Sequence, residues 1–287
     1  MGLLGAAALA ASPGFARAQL MDLVYERTAM NAANERCGLF SPEISAALAA
    51  AQAQSRGAAL RAGADPKALD ALERRAQNLG WSSNCRSPEL AASAGRVRSA
   101  FAGYARMQRI DYPGEIAGWR ADRTGLGAIR WRLAQQSRFG DDQMTFGLAG
   151  RDALGVVIAV AEFADGETPY GARLLLRDQA RSSRPYLDQL SGSGQGLPLA
   201  RRLPPRSALR SVAAEARSKA GADLLPKYGR AGWAFRFPAK AAHELARLDP
   251  REAVAIEFLF GDDRVRRAYV EVGDFAAGKA FLTLPDR

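Results

Sequence analysis

The sequence predicts an α+β fold: an N-terminal antiparallel helical bundle pinned by one disulfide, followed by a mostly antiparallel β-sandwich-like domain with one inserted helix. Three observations predict it. Hydrophobic periodicity changes from helical to alternating near Gly125, three Ser-Pro or Asp-Pro pairs punctuate the N-terminal part as helix starts, and the chain holds two cysteines, Cys37 and Cys85. The implied boundaries are a signal peptide over 1–18, a helical bundle over 19–110, a linker over 111–126 and a β-domain over 127–287.

The leader is read from the apolar run Leu3 to Ala11 and from Ala16-Arg17-Ala18, a small-residue cleavage site before Gln19. Such a start directs the chain to the periplasm or beyond, where two cysteines read as one disulfide; a reactive or metal-binding pair is the alternative. No apolar run approaches the roughly 20 residues that span a bilayer, so no transmembrane span is expected.

Four helices follow, over 20–37, 42–62, 66–79 and 88–109. Ser41-Pro42, Asp65-Pro66 and Ser87-Pro88 each place a capping oxygen ahead of a proline at the first helical position, where its missing N–H costs nothing. Gly63 and Gly80 fall where C-terminal glycines belong. Short connections make sequential helices antiparallel neighbours. The second helix is lined mostly by alanine, which buries little area, and this gives the disulfide a structural task.

Pro113, Gly114 and Gly118 interrupt the helical pattern and mark the linker. Beyond it, Ile129, Trp131 and Leu133 alternate with Arg130, Arg132 and Ala134, and strands follow at Met144 to Leu148, Val156 to Phe163 and Arg173 to Leu176. Ser207 to Ala216 fits a helix or a strand, with strand preferred. Ala231 to Phe237 reads as a strand, Pro238 to Leu248 as the inserted helix, Val254 to Phe260 and Arg264 to Val272 as a hairpin, and Ala280 to Leu284 as a last strand. Many short strands indicate a sandwich or barrel-like domain.

Phe235-Arg236-Phe237-Pro238 with the helix to Leu248, then Glu252 to Phe260 and Tyr269 to Phe275, resembles the exported invasion-associated locus B type of proteobacterial protein, in which strands frame a short helix near the C-terminal end. The likeness covers about the last third of the chain. It implies an envelope protein without catalytic residues.

Chemical motifs are few. The only histidine, His243, excludes H-E-x-x-H, and neither G-x-S-x-G nor S-x-x-K occurs. Ser191 to Gly196 lacks both the dinucleotide and the P-loop spacing, and no cofactor or metal is called for. Two candidate sites remain. Opposing Val254 with Val272, Ile256 with Val270 and Phe258 with Ala268 makes Glu257 and Glu271 diagonal neighbours at roughly 7–8 Å, a spacing suited to a glycosidase-like periplasmic hydrolase. Arg267 is equally near, so the same face also reads as a solvated Glu–Arg ladder. The second candidate is the proline-stiffened segment carrying Arg201, Arg202, Arg206 and Arg210, whose guanidinium groups suit anions.

Net charge is +10, and all but five of the 40 basic residues are arginine, a usage that GC-rich coding alone produces and that an anionic partner would also favour. Aromatics are not interleaved with the arginines, which argues against single-stranded nucleic acid. The expectation is an exported, non-enzymatic envelope protein that binds an anionic surface component or a protein partner.

Overall fold

The structure is a computed structural model, and it describes residues 13–104, 106–125, 127–152, 155–189, 196–225, 229 and 231–283. Four helices open the chain: α1 (Pro13–Cys37), α2 (Pro42–Arg61), α3 (Pro66–Ser82) and α4 (Pro88–Tyr104). Three of them begin at the anticipated prolines. Asp65 accepts from the Lys67 and Ala68 N–H groups at 3.3 and 3.1 Å, and Ser87 Oγ from Leu90 N–H at 3.1 Å; Ser41 makes no side-chain cap. Most of the expected leader lies outside the described residues, and α1 continues through Ala16-Arg17-Ala18. Among the described residues no helix is long and apolar enough to cross a membrane.

Gly63 ends α2 in the left-handed region at φ +80°, as anticipated, but Gly80 does not end α3. The helix runs on to Ser82 because Gly80 lies against α1: a β-carbon there would stand 2.6 Å from Ala32 Cβ and 2.8 Å from Ala33 N, and would collide with the Ala29 carbonyl. Absence of a side chain lets the two helices approach closely. Gly80→Ala is therefore expected to destabilise the protein by about 1–3 kcal/mol, overpacking outweighing alanine's helix propensity of about 1 kcal/mol; urea unfolding measures the sign.

The β-part comprises β1 (Arg109–Tyr112), β2 (Trp119–Asp122), β3 (Arg130–Phe139), β4 (Asp142–Gly150), β5 (Val156–Glu162), β6 (Gly171–Arg177), β7 (Leu209–Ala213), β8 (Ala216–Lys219), β9 (Trp233–Arg236), β10 (Ala253–Leu259) and β11 (Val265–Glu271), with helices α5 (Lys240–Ala246) and α6 (Phe275–Leu282). An antiparallel seven-stranded sheet, β1-β2-β3-β4-β5-β9-β8, faces an antiparallel four-stranded sheet, β11-β10-β6-β7. Phe146 and Phe235 from the larger sheet, Phe237 just after β9, and Leu174, Ile256, Phe258 and Val270 from the smaller sheet share one core.

Several elements differ from the sequence reading. The fourth helix stops at Tyr104, β1 begins inside the expected bundle and runs into the expected linker, and β2 lies within that linker; both are four-residue strands too short for their alternation to register. β8 was not anticipated, because all four of its residues are exposed and show no alternation. The expected last strand is α6 instead, a second helix in the β-part, whose Phe275, Gly278, Phe281 and Leu282 form one buried helical face. Leu284 lies outside the described residues.

The bundle is docked on the β-part. Ala47 belongs to the main core, and Phe101 and Tyr104 pack against it; Tyr104 meets Phe281 edge to face at 5.5 Å. Arg61 of α2 grips buried Asp274 with bonds of 3.0 and 2.8 Å. Burial raises the Asp274 carboxyl above the usual range, and Arg61 opposes that only in part.

Candidate functional site

The carboxylate pair does not assemble. Asp262 and Asp263 take φ values of +57° and +56° in a tight turn, and this places Val254 opposite Val270, Ile256 opposite Ala268 and Glu257 opposite Arg267. The ladder is thus shifted by two residues from the expected register. Glu271 pairs with Ala253, four positions from the Glu257–Arg267 pair, or about 14 Å of strand, beyond the spacing of paired catalytic carboxylates. Each carboxylate is also fully engaged. Glu257 Oε2 accepts from Arg173 Nε at 2.5 Å and Oε1 from Arg267 Nε at 2.9 Å. Burial alone would raise Glu257, yet the bonds to Arg267 and Arg173 outweigh it and hold the carboxyl below the usual range, the reverse of what a general acid needs. Buried Glu271 accepts from the backbone N–H groups of Glu115, Ile116 and Ala117 at 2.8, 2.7 and 2.9 Å, anchoring the loop between β1 and β2.

The four arginines do not form one anion site either. Arg202 is buried: its terminal nitrogens donate to Glu115 at 3.0 and 2.7 Å and its Nε to the Leu197 carbonyl at 2.7 Å. Burial would raise Glu115, but Arg202 and the Gly196 N–H lower it overall. Arg210 pairs with Glu244 at 3.1 Å, which leaves Arg201 and Arg206 exposed. His243 is exposed on α5.

A better candidate lies in the helical part. The Cys37–Cys85 disulfide forms as anticipated, with its α-carbons 5.5 Å apart, and ties the end of α1 to the residues just before α4. At the other end of α4, Tyr104 is held by Phe281 and by a 3.1 Å bond between its hydroxyl and that of Tyr112. Between these anchors α4 buries only Leu90 and Ala94, while α1 and α3 close on each other at Gly80. The result is a cleft of about 610 Å³ among α1, α3 and α4, with Leu48 of α2 also lining it. Its apolar walls are Leu23, Met30, Leu79, Val97 and Phe101, and Leu23 and Leu79 are among the most exposed large apolar side chains of the protein. Its size and lining fall in the range of small-molecule sites.

Two cations line this cleft, exposed Arg96 and the more buried Arg27. Arg27 is half-buried and donates to the Ala51 carbonyl at 2.7 Å. Burial lowers its pKa, and the neighbouring Glu26 offsets this only in part. Sequence reasoning missed the cleft, although one signal was present. Leu90, Ala94, Val97, Phe101 and Tyr104 make a helical stripe, and in the structure Val97 and Phe101 are only half-buried. Comparison with protein-family models, with curated proteins and with solved structures returned no match.

Proposed function

We propose that this chain is an exported, non-enzymatic binding protein of the cell envelope whose guest lies in the cleft among α1, α3 and α4. The observation that carries the reading is the cleft itself: about 610 Å³ of space walled by Leu23, Met30, Leu79, Val97 and Phe101, beside a helix secured mainly at its ends. Export is supported by the apolar N-terminal run and by the disulfide, which belongs in an oxidising compartment. The resemblance of the C-terminal third to the invasion-associated locus B type is in keeping with an envelope role. A hydrolase using Glu257 and Glu271 draws no support from carboxylates that are separated and saturated with hydrogen bonds. With Arg202 and Arg210 engaged internally, an anionic surface component has only Arg201 and Arg206 of that segment to meet.

The test is fluorescence titration with the apolar probe N-phenyl-1-naphthylamine. Wild-type protein is expected to bind it, and Val97→Arg, which puts a charge into the apolar wall, is expected to weaken binding by about tenfold or more. Absence of binding to the wild type, or equal binding by the variant, would overturn the assignment.

A further inference from the structure

The cleft combines an apolar slot with a guanidinium whose pairing is incomplete. Arg27 carries five N–H donors, and the described residues give it one hydrogen bond, to the Ala51 carbonyl. No carboxylate forms an ion pair with it among the described residues: Glu26 is its exposed sequence neighbour and acts only at a distance, and the Tyr104 hydroxyl is engaged by Tyr112. The other charged residues lining the cleft are Glu89 and Arg96, both exposed, with Arg96 bonded to Ser93 Oγ at 2.9 Å. A half-buried guanidinium with free donors is costly until an anion satisfies it, and its planar fork matches a carboxylate in two parallel bonds. Beside Arg27, Met30 and Ala33 of α1 and Val97 and Leu90 of α4 line the same cleft.

We infer that the guest is a single-chain carboxylate amphiphile, its carboxylate held by Arg27 and its hydrocarbon chain laid along Met30, Leu79, Val97 and Leu90. This inference rests on the cleft being the binding site, and its test is built so that the two can fail separately. Bound N-phenyl-1-naphthylamine is displaced with dodecanoate, dodecanol or dodecyl phosphate, compounds with the same chain and different heads. Wild-type protein is expected to prefer dodecanoate to dodecanol by about tenfold or more, the gain of a charge-assisted bidentate contact. Arg27→Met should erase that preference, and Arg27→Lys, which keeps the charge, should retain part of it.

Equal displacement by dodecanoate and dodecanol would overturn the inference while leaving the cleft in place. A preference that survives in Arg27→Met would do the same, by locating the head elsewhere. Stronger displacement by dodecyl phosphate than by dodecanoate would replace the carboxylate with a phosphate head. Failure of the naphthylamine to bind wild-type protein would instead remove the cleft reading itself.

Discussion

Arg177→Met is expected to destabilise the fold by about 3–5 kcal/mol, because it leaves a buried carboxylate without its counter-charge. Arg177 ends β6, where its Nε and Nη2 donate to the two carboxylate oxygens of Glu252 at 2.7 and 3.1 Å. Both side chains are almost entirely withdrawn from solvent, at 4% and 1% exposure. Glu252 also accepts from the Asp249 N–H at 2.9 Å, so the pair braces the turn that launches β10. Even with Arg177 present, burial keeps the Glu252 carboxyl above its ordinary 4.5. The sign follows from that direction. A raised folded-state pKa contributes stability that is present below the unfolded value and lost as pH rises through the folded one. Removing Arg177 raises the folded value further, so the variant's deficit should be larger near pH 7 than near about pH 4. Urea unfolding at both pH values tests this, and a deficit under about 1 kcal/mol near neutrality would contradict it. Arg177→Met combined with Glu252→Gln should recover a substantial part of the loss, since no charge then remains unpaired.

Opening the disulfide is expected to cost up to about 4 kcal/mol, the chain-entropy value for a crosslink of this span. Cys37 and Cys85 are 48 positions apart, so the closed loop takes in α2 and α3. The effect should be concentrated in α4, whose buried residues are only Leu90 and Ala94 and whose N-terminal end the bond secures. Cys37→Ala with Cys85→Ala should lower the thermal midpoint and speed hydrogen exchange across Pro88–Tyr104 before it affects β10. Exchange rates in α4 that match those of the intact protein would refute this distribution. Because α4 forms one wall of the cleft, the same variant should also weaken binding of the naphthylamine.

These outcomes depend on features read from different ranges of the chain. The helix starts at Pro42, Pro66 and Pro88 were legible because a cap and a proline act within a few residues of themselves. The disulfide was legible because two cysteines allow one intramolecular pairing. Strands β4, β5, β6, β10 and β11 were legible because short runs of apolar side chains leave a pattern in the sequence, β4 and β10 being buried along almost their whole length. β1, β2 and β8 left too little of it, being four residues long. In α6 the choice between helix and strand depended on the surfaces it meets, Leu133 of β3 facing Gly278 and Tyr104 of α4 facing Phe281.

The candidate sites divide in the same way. Sequence alone determined that Glu257, Tyr269 and Arg267 share one face of the last hairpin, because a slip of two residues preserves the face. It did not determine which of them stand opposite each other: the left-handed backbone of Asp262 and Asp263 decided that, and with it the loss of the carboxylate pair. Nor could it tell that Arg202 is buried against Glu115, 87 residues away, while Arg201 beside it stays in solvent. The cleft is the furthest case, since its walls come from α1, α3 and α4, which meet at the close approach of Gly80 and at the anchors of the disulfide and Tyr104. Caps, prolines and periods are local energies and can be read from neighbours in sequence. Registers, buried charges and cavities are set by which distant surfaces meet, and only the folded chain contains that information.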